Sequence, residues 1–408
     1  MRDTELYRHL LGLLEPWMVE RVELKIKERC VEVWAGHPTG VCFKCPECDY
    51  QGTARDHAEE RVWRHLDSCQ FQTYLHARIP RIACPTHGVR QVWVPWAEPD
   101  SRFTILFERL AIDLLLACNV KSGAEILGIS WDEAWGIKLR AVRRGQARKG
   151  EKVVAKIGID EKAIAKGHTY LTLVCDLTQA TVEYIGEDRK QASLDAYYKG
   201  LSPLQREGIE AVAMDMWEPY VKSTEASIPN ASEKIVFDRF HIMGHMGKGV
   251  DTVRKQEHRE RASAGDTTLT GTKYLWLYAK ENLPEHRRSE FNALKALNLK
   301  VGRAWALKES LRELWDQTTA ARATDFWKRW FWWATHCRLQ PIRKVAYLIK
   351  RHWANIVTFF HHPITNAVSE GLNSKIQTIK KMAYGFRNKE HFKTAIFFHC
   401  GGLDLYPR

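Results

Sequence analysis

The chain has 408 residues, 45% hydrophobic and 27% charged, the balance of a folded protein of two to four domains rather than a disordered tail. Lysine and arginine outnumber aspartate and glutamate to a formal charge of +13, which points to a polyanionic partner such as nucleic acid. The longest apolar runs, such as residues 111–118, are too short for a membrane span, and the first residues lack the basic-then-apolar order of a signal peptide. A cytoplasmic, nucleoid-associated protein without a membrane partner is the expectation.

In chain order, Leu6, Leu10, Leu13 and Leu14 fall at helical spacing. Residues 22–26 and 31–33 alternate as two strands around a Lys27-Glu28-Arg29 turn. A cysteine-rich stretch follows, then a strand-like Val92-Trp-Val-Pro-Trp96 and helices over 104–145. From Val153 the pattern is one of strands, from about Met243 to Phe360 it is helical, and the tail carries one more long helix.

Cys42-Phe-Lys-Cys45-Pro-Glu-Cys48 and, further on, Cys84-Pro-Thr-His87 each present two metal-ligating side chains from one tight turn. Two such turns supply the four ligands of tetrahedral zinc, and a site with four protein ligands is structural. The expected set is Cys45, Cys48, Cys84 and His87, because both pairs follow a Cys-Pro-x-ligand pattern; Cys42, His65 and Cys69 are the alternatives.

Residues 121–127 predict a short helix, Gly128-Ile129 a turn, and Ser130 the cap of a second helix, with Glu133 completing a capping box. Trp131, Trp135 and Val142 form an apolar stripe, which leaves Lys138, Arg140, Arg143 and Arg144 as candidate DNA contacts. The pattern is that of a helix-turn-helix whose second helix enters the major groove, against the plainer reading of a helical hairpin with a solvated basic end.

Residues 153–160 predict a strand ending in Asp160, with two more strands at 169–175 and 180–185. A helix at 191–200 precedes a fourth strand ending in Asp215 and a fifth ending in Asp238. Three consecutive strands and then two alternating with helices match the ribonuclease H-like order. In that order the first and fourth strands are neighbours, so Asp160 and Asp215 can share a divalent ion. Glu161 points to the opposite face. Residues 366–381 predict a helix carrying Glu370, with Asn373 and Gln377 on nearby turns.

Gly158-Ile-Asp160-Glu, Met214-Asp215-Met-Trp, Phe237-Asp238-Arg-Phe-His241 and Ser369-Glu370-Gly-Leu-Asn373-Ser-Lys375 resemble the ISL-three family of bacterial insertion-sequence transposases. The Cys-Pro-x-Cys module and Ala383-Tyr-Gly-Phe-Arg387 are similar to further parts of the same family, in the same order. The resemblance implies a DDE transposase with Asp160, Asp215 and Glu370 as catalytic acids and Mg²⁺ ligands, Mn²⁺ substituting. Asp238 rivals Asp215 for the second acid. The preference for Asp215 rests on its strand abutting the first, which leaves Asp238 and His241 to orient metal, water or DNA. Phosphodiester cleavage needs an activated water and a stabilised leaving oxygen, and two cations about 4 Å apart supply both.

Lys375, Lys380, Lys381 and Arg387 are candidate contacts to the scissile strand's phosphates. The aromatic run at 326–333 reads mainly as helical core, with base stacking as the alternative.

The expected fold class is multidomain α+β. Residues 1–40 form an N-terminal helix and hairpin, a candidate dimer contact. Residues 41–100 form a zinc module, 101–150 a helix-turn-helix, and 151–245 the first part of a ribonuclease H-like core with a mixed sheet. A large all-α insertion at 246–360 interrupts that core, which resumes at 361–408 with the catalytic helix and a basic tail. Expected partners are double-stranded DNA, as terminal inverted repeats and target, and further copies of the chain, in a homodimer or higher assembly. A noncatalytic DNA-binding regulator derived from a transposase is the alternative. A nuclease acting on RNA–DNA hybrids fits the core but leaves the helix-turn-helix and the insertion unexplained.

Overall fold

A computed structural model describes residues 2–165 and 169–408. The chain divides into two compact units, Met1–Gly150 with Ile379–Arg408, and Glu151–Thr378.

The first unit begins with helix α1 (Asp3–Leu10) and strands β1 (Met18–Lys25) and β2 (Cys30–Gly36). The short hairpin of β3 (Cys42–Lys44) and β4 (Gln51–Thr53) follows. Long strands β5 (Asp56–Ser68) and β6 (Phe71–Cys84) come next, then β7 (Gly88–Gln91). The main sheet runs β1-β2-β6-β5, with β7 paired to β6. Its β2–β6 pair is parallel and its other pairs antiparallel. Cys69 and Gln70 turn between β5 and β6 with φ of 52° and 68°, the left-handed pair that a two-residue hairpin loop needs. Leu75, Ala77 and Ile79 of β6 alternate into a core shared with Val33 and Trp63, which Ile82 joins after the alternation shifts by one at Pro80.

Residues 92–96 form no strand; β7 ends at Gln91 and the chain runs irregularly to Thr104. Thr104 caps α2 (Ile105–Ala117), Asn119 caps α3 (Val120–Leu127), and Ser130 caps α4 (Trp131–Ala147) through a complete capping box with Glu133. Gly128 ends α3 at φ 64°, a left-handed position that glycine takes without the Cβ clash other residues meet.

In the second unit, β8 (Lys156–Ala165), β9 (Thr169–Asp176) and β10 (Thr181–Gly186) form an antiparallel meander. Helices α5 (Gln191–Lys199) and α6 (Pro203–Glu207) lead to β11 (Ala211–Met214). Helices α7 (Glu218–Ser227) and α8 (Ala231–Lys234) lead to β12 (Ile235–Phe237). The sheet order is β10-β9-β8-β11-β12, with β8, β11 and β12 parallel. Every residue of β11 and β12 is buried, which is why both read as unbroken apolar runs instead of alternating ones.

Asp238 then caps α9 (Arg239–Ser263), which runs unbroken across the expected boundary at 245/246. From α9 to residue 360 the described residues are helical or irregular, including α10 (Lys273–Leu277), α11 (Arg288–Ala296), α12 (Lys300–Arg312), α13 (Ala320–His336), α14 (Gln340–Arg351) and α15 (Trp353–Val357). The aromatic run lies on α13. Trp327 and Trp330 are buried, Trp327 stacks on Trp353 at 4.9 Å, and Trp332 and Trp333 are exposed.

Helix α16 (Ala367–Met382) carries Glu370. The second unit ends within it, at Thr378, instead of reaching residue 408. Phe398 of α17 (Lys389–Cys400) and Leu405 pack with Phe107, Ile112 and Ile137 in the helix-turn-helix core, and that apolar contact assigns the tail to the first unit.

Candidate active site

Strand register sets three acids in a row. Gly158 of β8 pairs with Ala213 of β11, which pairs with Val236 of β12. Two residues further along each strand stand Asp160, Asp215 and Asp238, on one face of the sheet because side chains alternate with period two. Parallel strands about 4.8 Å apart thus bring Asp215 between the other two at the carboxyl edge.

Each acid is held differently. Asp160 Oδ1 accepts the Glu161 N–H at 2.8 Å, and its Oδ2 accepts the Asn373 amide at 2.6 Å. Burial pushes its carboxyl up to about 6, against the Glu161 N–H and the nearby His241, with Glu161 and Asp215 adding to the rise. Asp215 is more open; its Oδ1 accepts the Met216 N–H and its Oδ2 lies 3.6 Å from His241 Nδ1. Asp238 is buried and spends one oxygen on the Phe240 N–H at 3.3 Å as the cap of α9. Burial raises its carboxyl too, and its Oδ2 has no hydrogen-bond partner. Glu161 faces the other way, 3.7 Å from Arg189.

Helix α16 lies against the same face of β8. A Cβ at Gly158 would come within 2.5 Å of Ser369 Oγ and 2.9 Å of Asn366 Oδ1, so only glycine lets the helix approach this closely. Further along, Asn373 reaches Asp160, and Lys162 donates to the Asn373 carbonyl at 2.9 Å. Glu370 sits one turn before Asn373 on the same stripe, where residues three apart are neighbours. The Asp160, Asp215 and Glu370 ligand atoms are not drawn within 4.8 Å of one another; among the described residues only the cysteine–histidine group below is. Lys162 is a site residue that the sequence reading did not name, and Asn373 is one that it placed near Glu370 without giving it a role. The signal for Lys162 is the two-residue step from Asp160, and for Asn373 the three-residue step from Glu370.

Beside Glu161, Arg189 lies over the Tyr170 ring at 4.5 Å and the Trp217 ring at 5.0 Å, in the wall of a cavity of about 480 Å³ that also includes Lys222.

In the first unit, Cys45, Cys48, Cys84 and His87 present ligand atoms that all lie within 4.8 Å of one another. Cys45 follows β3 in the turn to β4, its N–H donating to Tyr50 O at 2.8 Å, while Cys84 ends β6 and His87 sits in the turn to β7. Cys48 Sγ and Cys84 Sγ are 3.6 Å apart, and Cys84 Sγ and His87 Nδ1 also 3.6 Å. Burial pushes the Cys84 thiol up, but the Thr86 and His87 N–H groups and the His87 and Cys48 side chains outweigh it and bring it to about 6, a value suited to a thiolate ligand. The alternatives lie outside this group. Cys42 and Cys69 are exposed, and His65 is buried with its Nδ1 2.9 Å from Thr104 Oγ1.

Three of the four basic candidates of α4 are turned away from its exposed face into the first unit, Arg140 and Arg144 onto acids and Lys138 toward α17, contrary to the expectation that all four lie on the face that meets the major groove. Lys138 is only 4% exposed, over the Phe398 ring at 4.5 Å, because α17 covers the face of α4 that it occupies. Arg140 donates to the buried Glu108 at 3.1 Å, and Arg144 clamps Glu98 at 2.8 Å and Glu108 at 3.0 Å. A buried carboxylate requires such partners, so these guanidinium groups neutralise Glu108 instead of reaching phosphate. Arg143 is exposed. Lys375, Lys381 and Arg387 are also exposed, and Lys380 is half-buried.

Three family models match the chain in order. Residues 43–87 match the zinc-finger of transposases IS204, IS1001, IS1096 and IS1165, and residues 94–142 the helix-turn-helix domain of transposase family ISL3. Residues 157–396, more than half of the chain, match the ISL3 DDE transposase model. The transposase for insertion sequence element IS1557 of Mycobacterium tuberculosis is 25% identical over 96% of this chain and 94% of its own length. The transposase for insertion sequence element IS1001 of Bordetella parapertussis is 26% identical over 94% of this chain and 96% of its own. With its zinc-finger, helix-turn-helix and transposase regions in that order, the chain belongs to the ISL3 family of DDE transposases.

Proposed function

We propose that this transposase binds the ends of its insertion sequence and cuts and rejoins DNA at a metal-dependent site built from Asp160, Asp215 and Glu370. The observation that carries the reading is the register that puts Asp160 of β8 beside Asp215 at the carboxyl end of the parallel β11, with α16 laid over the same face. The strand order β10-β9-β8-β11-β12 supports a ribonuclease H-like core, and the helices between Asp238 and Asn366 an all-α insertion within it.

The donor set fits Mg²⁺, which prefers hard oxygen ligands. Asp160 is a half-buried carboxylate whose oxygens accept, among the described residues, only from the neutral Glu161 N–H and Asn373 amide, so its charge is not matched by a bonded cation. When bound between the carboxylates, Mg²⁺ supplies Lewis-acid stabilisation of the attacking and leaving oxygens. The chain's own part is to fix that geometry. Asn373 orients Asp160, Gly158 seats α16 so that Glu370 borders the acids, and His241 is placed to accept or return a proton next to Asp215. Water serves as nucleophile in the cleavage step and a freed 3′-hydroxyl in strand transfer, with no covalent enzyme intermediate. The Arg189–Trp217–Tyr170 wall offers a cation and ring faces to a DNA strand.

Cys45, Cys48, Cys84 and His87 are proposed to hold a structural zinc, four protein ligands closing its coordination. Duplex recognition is assigned to the exposed stripe of α4 that contains Arg143, with Lys375, Lys380, Lys381 and Arg387 as further phosphate contacts. Action on two element ends implies at least two copies of the chain on the DNA.

The test is gel-resolved cleavage of DNA carrying the element's own ends, in Mg²⁺ and in EDTA, with wild type beside Asp215→Asn. Metal-dependent cuts lost in the variant with binding retained are expected. Binding without cutting by the wild type would make the chain a regulator.

A further inference from the structure

The first unit contains a second cavity, of about 770 Å³, enclosed by α3, the start of α4, the 382–388 loop and α17. This volume lies within the usual range of small-molecule sites. One wall is aromatic. Trp131 and Trp135 stand parallel, 5.5 Å between ring centroids and 2° between planes, and His391 lies 4.4 Å from Trp135. Trp131 is 43% exposed, an open ring face at the mouth.

The charges around this wall are largely of one sign. Lys138 is buried deep in the cavity, and its one hydrogen-bond partner among the described residues is His399 Nε2 at 3.2 Å. An ammonium has three donors, so two remain for a ligand. Arg387 and Lys121 line the mouth, where Glu125 is the only acid among the described residues, 3.9 Å from Lys121. Flat rings beside buried and rim cations suit a molecule that is itself a ring joined to an anion.

We infer that this cavity binds a nucleotide of DNA whose base is unpaired, the base stacking against Trp131 and the phosphate meeting Lys138 and Arg387. The inference rests on the DNA-end reading above and adds to it a place for a single-stranded or extruded nucleotide, apart from the duplex contact of α4. Extruding a base costs unstacking energy, which an aromatic platform offsets.

The test uses the full-length protein and a fluorescein-labelled ten-nucleotide thymidine strand, read by anisotropy beside a duplex of the element end. Trp131→Leu should lower the ratio of strand to duplex affinity about tenfold, within the span of one base–aromatic stack, whereas Trp131→Phe should stay within about threefold. A melting curve on each variant confirms folding. Equal strand-to-duplex ratios in wild type and Trp131→Leu, or equal losses in the Leu and Phe variants, would overturn the site. Displacement of the strand by micromolar thymidine monophosphate would assign the pocket to free mononucleotides, and its absence to a strand. Cleavage of end DNA is measured in parallel. Intact cleavage with no Trp131 effect overturns the pocket alone; absent wild-type cleavage with a tenfold Trp131 effect overturns the proposed chemistry and keeps the pocket.

Discussion

Asn373 donates its side-chain amide to Asp160 Oδ2 at 2.6 Å, and so ties the helix that carries Glu370 to the strand that carries the first acid. The Lys162 ammonium holds the same residue by its carbonyl at 2.9 Å. Asn373 is therefore a positioning residue. Asn373→Ala should lower the cleavage rate by about tenfold to a hundredfold, the upper figure being the cost of misplacing a reacting group by about 1 Å. Asn373→Asp, with a like charge at hydrogen-bond distance from Asp160, should lower it further. Rates on element-end DNA at saturating Mg²⁺ check both, and an Asp variant more active than the Ala variant would contradict the assigned role.

Gly158 tests the seating of α16 without touching an acid. An alanine Cβ there meets Ser369 Oγ on the helix and Asn366 Oδ1 just before it, both buried. Gly158→Ala should destabilise by about 1–3 kcal/mol, the usual cost of overpacking, and lower cleavage by moving Glu370 away from Asp160. Thermal melting and the cleavage rate should both fall. Unchanged cleavage would mean that the helix does not need this approach.

The two rival acids separate by a conservative exchange. Asparagine caps helices as well as aspartate does, so Asp238→Asn keeps the Phe240 contact and removes a buried charge with an orphan oxygen. Its cleavage rate should stay within about tenfold of wild type and its stability should hold or rise. Asp215→Asn should abolish cleavage while binding persists. The reverse ranking would transfer the second acid to Asp238.

How far the fold is legible in the sequence depends on which partner each segment meets. Strands β11 and β12 are short apolar runs closed by an aspartate, and that pattern alone places Asp215 and Asp238 just past strand ends, whereas β8 runs on to Ala165 in its pairing with β9, so Asp160 lies in mid-strand and not at the strand end expected of it. The capping box at Ser130 and the Cys-Pro-x-ligand turns are equally local, and each is found in the structure. The long β5–β6 hairpin is hidden because its strands carry Glu, Arg and His on both sides of few apolar residues, as in Glu59-Glu60-Arg61. Lys138 reads as a surface cation because nothing near it in sequence announces α17, some 260 positions away, which covers it. That the tail belongs to the first unit and not to the core is hidden for the same reason: Phe398 and Leu405 meet their partners only through long-range packing. Asn373 is one polar residue among several on an amphipathic helix, and only its contact with Asp160 sets it apart.

Zinc should be present at one ion per chain. Cys84→Ser removes the ligand whose thiol is brought down to about 6, and should lose the metal. Because the two knuckles join β3–β4 to β6–β7, loss of the ion frees the ends of both turns and should lower the melting temperature of the first unit. Cys42→Ser, at an exposed thiol outside the group, should retain full zinc. Metal analysis by mass spectrometry distinguishes the two, and equal zinc loss in both would mean that Cys42 is a ligand.

His65 gives the same unit a pH dependence of its own. The ring is buried beside Arg64 at the junction of β5 and α2, and burial first, then the Arg64 charge, brings its pKa from the ordinary 6.5 to about 4. Between these two values the unfolded chain binds a proton that the folded chain does not, so stability is full above about pH 6.5 and is lost as pH falls toward 4. At pH 5 the loss is on the order of 1–2 kcal/mol. His65→Gln keeps a polar side chain near Thr104 and removes the titration, so its urea midpoint should fall less than that of wild type between pH 7 and pH 5. The zinc ligands protonate alike in both proteins, and the difference between the two curves isolates His65. Parallel curves would show that the ring takes up its proton without leaving the fold.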